Sequence, residues 1–144
     1  MTTRRKLAFW LYGTVLFALT GWGMSFMLRS EFTSYHAVAV GMPWGQVPPP
    51  LQILVLALIK TAGGLWVAFT LSVFVVLLIP FRRGQRWALW AVPLLIMAQF
   101  VAPMPAMTLV SLSTPATPPW AFSFFGLGTV LFALVVTVTE RQRG

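Results

Sequence analysis

The sequence predicts an all-α integral membrane protein, a four-helix bundle that carries a short interfacial helix, or lid, on its outer side. Of its 144 residues, 58% are apolar and only 8% are charged, whereas an ordinary soluble domain is roughly a quarter charged. Four apolar segments also reach the length of about 20 residues with which a helix crosses a bilayer. These two observations exclude a soluble enzyme and a disordered tail.

The net charge of +8 is the third observation, and it does not indicate nucleic acid. A nucleic-acid-binding domain collects its Lys and Arg side chains in one solvent-facing patch or stripe. Here they lie in short clusters between the apolar segments. We therefore expect no nucleic-acid partner and interpret the clusters as the ends of membrane spans.

The predicted domain is a single four-span unit over residues 1–144. Its spans are predicted at residues 7–28, 51–79, 87–112 and 120–139, with an outer loop at residues 29–50. The basic start resembles a secretory signal, but the apolar stretch behind it is too long for one, so we expect a retained first span. Pro103 and Pro105 predict that the outer half of the third span is bent or partly unwound, with Gln99 positioned to satisfy a freed carbonyl.

The distribution of positive charge predicts the orientation. With four spans, both termini and the 80–87 turn share one side, and positive residues near short loops stay in the cytoplasm. Eight basic residues fall on that side, against Arg29 and Lys60 on the other. We therefore expect a protein of the bacterial inner membrane with both termini in the cytoplasm. The eight residues are Arg4, Arg5, Lys6, Arg82, Arg83, Arg86, Arg141 and Arg143.

A stripe of small residues runs along one face of the second span. Small side chains let helix backbones approach closely, and close approach is what holds helices together in lipid. We expect the stripe to pack against other spans of the same chain, with a partner subunit as the alternative. The stripe consists of Ala57, Thr61, Gly64, Ala68 and Ser72.

The outer loop predicts the lid and the candidate site. Ser30 is placed to cap a short helix that ends before Gly41, and residues 48–50, all proline, are expected to be extended. Lys60 is a functional candidate because an ionisable residue within a span is expensive to bury. The alternative is that Lys60 snorkels to water or pairs with Glu31. The candidate ligand-binding residues are Lys60, Glu31, His36, Tyr35 and Gln52.

Several chemistries lack the residues that they need. The chain has no cysteine and one histidine, which excludes thiolate metal sites and a haem held by two histidines of one chain. No predicted span contains Asp or Glu, so a proton-coupled exporter that relies on an intramembrane carboxylate is disfavoured. We interpret Met97, Met104 and Met107 as packing residues rather than copper ligands. We expect no catalytic residues, no metal and no cofactor.

Short motifs spread along the chain carry a resemblance to known proteins. They are Phe32-x-x-Tyr35-His36-Ala37, Gly41, Trp44, Gln52, Lys60-x-x-Gly63-Gly64 and Pro80-Phe81-Arg82-Arg83-Gly84. In these motifs the chain resembles small uncharacterised bacterial inner-membrane proteins with four spans. In its four-span layout it is also similar to the DoxX-like membrane proteins. That similarity implies an accessory role in redox or quinone-associated membrane complexes.

We therefore expect a non-enzymatic accessory or structural protein of the inner membrane. It would pack in a larger membrane complex or a homo-oligomer, or bind lipid-like and hydrophobic small molecules in an apolar crevice at the kinked third span. The alternative is a small transporter or membrane enzyme that uses the outer Lys, Glu and His group. Membrane lipids are expected partners in both cases.

Overall fold

Four long helical stretches dominate the structure. The computed structural model describes residues 1–141, with side chains through Thr139. Among these residues, four stretches are long and apolar enough to cross a membrane: Thr3–Met27, Pro49–Phe81, Arg86–Ser113 and Trp120–Thr139. The predicted all-α, multi-span fold is therefore confirmed. The helices are α1 (Thr3–Met27), α2 (Ser34–Val40), α3 (Pro49–Val76), α4 (Arg86–Val101), α5 (Met104–Ser113) and α6 (Trp120–Arg141), with a 3-10 turn at Trp44–Gln46 and a π-helical turn at Leu77–Phe81.

The spanning helices form a bundle in which each packs mainly against two neighbours. α1 packs most extensively against α3 and then against α6, and α4 completes the ring by contacting α6 and α3. The Tyr12 and Phe81 rings meet edge to face at a centroid distance of 5.7 Å, which joins the start of α1 to the turn after α3. The side chains of Arg141 and Arg143, which counted toward the predicted orientation, lie outside the described residues. The core includes Tyr12, Leu16, Leu19, Val73, Leu77, Phe81, Val92, Ile96, Phe100 and Val130.

α1 and α3 touch through their backbones at Gly23 and Gly63. A methyl group on Gly63 would lie 2.7 Å from the Gly23 carbonyl oxygen and 2.8 Å from the Met27 amide nitrogen. Only glycine fits this approach, because these two neighbours are backbone atoms that cannot rotate away. Close backbone contact of this kind is the main source of helix association in lipid.

The predicted small-residue stripe does not make this contact. A methyl group on Gly64 would have no neighbour within 4 Å, so the expectation that the stripe packs within the chain is wrong. Adjacent helical residues point about 100° apart, and α3 is rotated so that Gly63 rather than Gly64 faces α1. The other stripe residues are exposed on the outside of the bundle: Ala57, Thr61, Ala68 and Ser72.

The third span is interrupted at Pro103, in agreement with the expectation from its prolines. Between α4 and α5, Ala102 and Pro103 keep right-handed helical dihedral angles, so the span is interrupted without unwinding into a loop. Gln99 has a different role from the predicted one. Its amide nitrogen donates to the hydroxyl of Thr70 on α3 at 2.7 Å, and the side chain therefore links two helices.

The outer segment differs from the prediction at two points. Thr33, not Ser30, precedes α2, and Gly41 ends this helix with a φ of 77°. Pro49 and Pro50 form the first turn of α3 instead of an extended segment. Proline is favoured at the start of a helix because the N–H that it lacks would be unpaired there anyway.

We expect Gly63→Ala to destabilise the bundle, because the added methyl group must separate α1 from α3. The loss should be about 1–3 kcal/mol, the usual cost of overpacking, and thermal unfolding followed by circular dichroism in mild detergent measures it. Gly64→Ala is the matched control, since its methyl group has open space and alanine favours helix. Equal melting temperatures for the two variants would contradict the role of this contact.

Candidate functional site

An aromatic cavity of about 150 Å³ lies at the end of the bundle that carries α2. The Trp22 and Phe122 rings stack there at a centroid distance of 4.6 Å, and the Phe100 ring lies 5.8 Å from that of Phe122. The lining is mainly aromatic and apolar, as in most small-molecule sites. Its lining residues come from all six helices and from the segments before α5 and α6: Trp22, Phe26, Tyr35, Trp66, Phe100, Pro103, Met107, Pro119, Phe122 and Ser123.

A larger groove, of about 750 Å³, lies between α3 and α4. Leu65 and Phe69 at its edge are exposed, so the groove opens at the side of the bundle. Trp66 and Pro103 line both the groove and the aromatic cavity. The interruption of the third span at Pro103 therefore lies where the groove meets the aromatic cavity. Small side chains make room for the groove: Ala62, Ala68, Ser72, Ala98 and Ala102.

Two polar atoms of the groove residues are buried without a hydrogen-bond partner among the described residues, Gln99 Oε1 and Trp66 Nε1. Gln99 is only 7% exposed, and its Nε2 donates to Thr70 Oγ1 at 2.7 Å and to the Trp66 carbonyl oxygen at 3.3 Å. The Thr70 hydroxyl donates to that same carbonyl at 2.8 Å. Its oxygen must therefore accept from Gln99, which fixes the orientation of the amide. Leaving a buried acceptor such as Gln99 Oε1 without a hydrogen bond costs about 1–3 kcal/mol.

A hydrogen bond joins Lys60 to the end of α1. Its Nζ donates to the Met27 carbonyl oxygen at 3.0 Å, one of the carbonyls that the last turn of a helix leaves unpaired. A cation is also favoured at this position by the helix dipole. The amine bonds there in place of the expected partner Glu31, whose side chain is exposed. This hydrogen bond gives Lys60 a structural contact between α3 and α1, and its ligand-binding role stays a prediction.

The His36 side chain caps the first turn of α2, the lid helix. Its Nδ1 accepts from the Thr33 backbone N–H at 3.3 Å and lies 2.8 Å from the Thr33 hydroxyl, as in a capping box. Because Nδ1 accepts, the proton of the neutral ring is on Nε2. Burial, and then the positive charge of Arg29, lower the pKa of His36 below its ordinary value. The neighbouring Tyr35 ring lies 4.0 Å away, and burial raises the pKa of Tyr35.

Gln52 supports the loop that follows the lid. Its Nε2 donates to the Trp44 carbonyl oxygen at 2.9 Å, which joins the 3-10 turn to α3. The Phe32 ring packs edge to face on Trp44 at 4.9 Å. The structure thus separates the predicted group: Tyr35 lines the aromatic cavity, His36 and Gln52 hold the lid and its loop, and Glu31 is exposed.

An apolar crevice was expected at the third span, but apart from Tyr35 the residues that line the cavity and groove were not among the predicted site residues. The sequence predicted only that Gln99 satisfies a carbonyl freed within its own helix and that Met107 is a packing residue. One signal was present in the sequence, because Gln99 is an amide within an apolar span and polar residues are rare and often functional there. Its free oxygen, however, depends on the Thr70 hydroxyl of another helix.

The chemistry available at this end is apolar packing and hydrogen bonding. No group of three or more His, Asp or Glu side chains that could hold a metal ion occurs within residues 1–139. The fold and the site together define a multi-pass helical membrane protein with a lipid-facing groove beside an aromatic cavity. No protein-family model, curated protein or solved structure matches the chain.

The lid is expected to lose stability on acidification. Because the folded lid lowers the pKa of His36, the unfolded lid binds more protons between that pKa and the ordinary value of about 6.5. The lid is therefore fully stable when the pH is above the ordinary pKa of histidine. Its stability decreases as the pH falls through this window and is constant at lower pH. Hydrogen exchange of the amides at residues 33–41 measures it, and NMR titration of the single histidine gives the pKa.

His36→Gln is the control for this prediction. Glutamine keeps a hydrogen-bond acceptor at the third helical position, as in an ordinary capping box, but it does not titrate. The pH dependence should disappear in this variant. A lid that still weakens with acid would assign the effect to another group.

Proposed function

We propose that this chain is a non-enzymatic accessory protein of the bacterial inner membrane that binds a lipid-like or other hydrophobic small molecule. The observation that carries the proposal is the pair of adjoining spaces whose shared wall is Trp66 and Pro103. The groove, at about 750 Å³, falls within the range of about 300–1,000 Å³ that is usual for small-molecule sites.

The wall of the groove suggests the chemistry of the ligand. Most of the lining is apolar or aromatic, which favours a hydrophobic body. Gln99 Oε1 needs a donor and Trp66 Nε1 needs an acceptor. A hydroxyl group can satisfy either atom, because it carries one donor and two acceptor lone pairs. The proposed ligand is therefore a hydrophobic molecule that bears a hydroxyl group.

A structural rather than catalytic role of the outer polar residues supports the accessory function. Lys60, His36 and Gln52 are each engaged in hydrogen bonds within the chain, so they give little support to the transporter or enzyme alternative. A distant relationship to the DoxX-like proteins belongs to the same proposal. The similarity in four-span layout supports it.

The proposed orientation has both termini in the cytoplasm. The Arg5 guanidinium lies beside Gly84, and the Arg82 Cζ atom lies 5.8 Å from the centre of the Phe9 ring. The basic clusters at residues 4–6 and 82–86 are therefore at one end of the bundle. Positive residues near short loops are retained on the cytoplasmic side, which supports this orientation.

Filling the groove should remove ligand binding. Ala98 is exposed on the groove wall, so Ala98→Phe places a ring in the space without displacing a core side chain. The probe is a pyrene-labelled long-chain alcohol added to the full chain in lipid nanodiscs, and energy transfer from tryptophan reports its binding. We expect a loss of affinity of roughly tenfold or more, because the ring clashes with the bound probe.

Two further variants test where and how the probe binds. Ala121→Phe adds the same ring at an exposed position of α6 away from the groove and should bind normally. Gln99→Leu removes the unpaired acceptor. It should weaken binding of the pyrene-labelled alcohol more than binding of the matching pyrene-labelled alkane. If Ala98→Phe and Ala121→Phe bind alike, the groove is not the site.

A second candidate function is subunit packing in a larger membrane complex or a homo-oligomer. The observation that favours it is the outward direction of the small-residue stripe on α3. Gly64 has open space around its missing side chain, so another helix could approach the α3 backbone closely there. Such an approach needs a helix from outside this bundle.

Gly64→Leu should therefore weaken assembly and leave the fold of the subunit unchanged. Size-exclusion chromatography with light scattering in mild detergent measures the mass of the particle. Gly21→Leu is the control, because Gly21 is also exposed with open space but lies on α1. A monomeric mass for the unmodified chain, or an unchanged oligomer in Gly64→Leu, would contradict a homo-oligomer built on this stripe.

A further inference from the structure

A second groove, of about 730 Å³, lies at the opposite end of the bundle, between α1 and the π-helical turn. Leu77 is fully buried at its base, whereas Phe17 and Leu78 are exposed on its sides. A methyl group on Gly13 would have one neighbouring atom within 4 Å, a side-chain carbon of Leu77 at 4.0 Å. The groove therefore exists because α1 presents no side chain at this position.

The π-helical turn forms one wall of this groove. Pro80 lies inside the turn, and a proline removes a backbone donor and clashes with the preceding turn of a helix. The wider π geometry accommodates this, and such turns are frequent at functional sites. Leu77 and Leu78 both belong to the turn and line the groove.

Two cationic side chains, Lys6 and Arg82, stand at one end of the groove. Both are exposed, and the Arg82 guanidinium lies over the Phe9 ring, with 5.8 Å from Cζ to the ring centre. The neighbouring Arg5 lies beside Gly84 instead. The groove is thus apolar along its length and positively charged at one end.

We infer that this groove binds an anionic phospholipid, with an acyl chain along the apolar base and the phosphate group at Lys6 and Arg82. Charge complementarity identifies the occupant, because basic pockets between spans at this level bind acidic lipid head groups and arginine pairs with phosphate in a bidentate way. An apolar helix from another chain would fill the groove but leave both cations unpaired. The inference concerns a different site from the groove between α3 and α4, and it rests on the proposed function only for the cytoplasmic placement of this end of the bundle.

The test is competition between two lipids with identical acyl chains. The full chain in mild detergent is mixed with equal amounts of palmitoyl-oleoyl phosphatidylglycerol and palmitoyl-oleoyl phosphatidylcholine, and native mass spectrometry counts the lipids that stay bound. We expect phosphatidylglycerol to be preferred. The double variant Lys6→Gln/Arg82→Gln should reduce this preference by roughly tenfold, since each basic residue near an anionic membrane surface contributes several-fold.

Two matched controls separate this site from general attraction. Arg4→Gln/Arg83→Gln removes the same charge from exposed residues at the same end that do not line the groove, and should change the preference less than about twofold. Gly13→Leu fills the apolar base and should reduce binding of both lipids, whereas Gly21→Leu should not. Equal losses in the two charge variants, or no preference in the unmodified chain, would overturn the inference. Unchanged lipid binding in Gly13→Leu would also overturn it.

Discussion

The backbone contact between Gly23 and Gly63 sets the arrangement of the other helices. In lipid, apolar side chains gain little by meeting each other, because the surrounding acyl chains are equally apolar. Association depends instead on how closely two helices approach, and here no Cβ atom separates them. The contact also fixes the rotation of α3 about its own axis. Thr70 and Val73 consequently face the core, and the small-residue stripe faces outward.

The positions of both grooves follow from this rotation of α3. At the outer end it directs Trp66 between the aromatic cavity and the groove, and it brings Thr70 to Gln99 of α4. At the other end the π-helical turn continues α3 beside α1, with Leu77 at the base of the second groove. One close contact near the end of α1 therefore positions two grooves on different sides of α3.

The sequence predicted the spans well, because a bilayer demands a minimum apolar length that any stable span must meet. The rotation of each helix was not predictable in the same way. α3 is apolar on every side, so it has no amphipathic pattern that would identify its inner face. Gly63 and Gly64 are neighbours, and the choice between them depends on α1. The lid was likewise expected, but Ser30 and Thr33 offer similar hydroxyl groups, and the partner His36 decided between them.

The sideways opening of the groove between α3 and α4 changes which concentration matters for binding. A molecule that enters from the lipid never passes through water, so its supply is set by its partition into the bilayer. Affinity at such a site is measured against mole fraction in the membrane, and a compound that is scarce in water can still be abundant at the entrance. Encounter then takes place by lateral diffusion in two dimensions. The composition of the surrounding membrane, more than that of the solution, therefore governs how often the groove is filled.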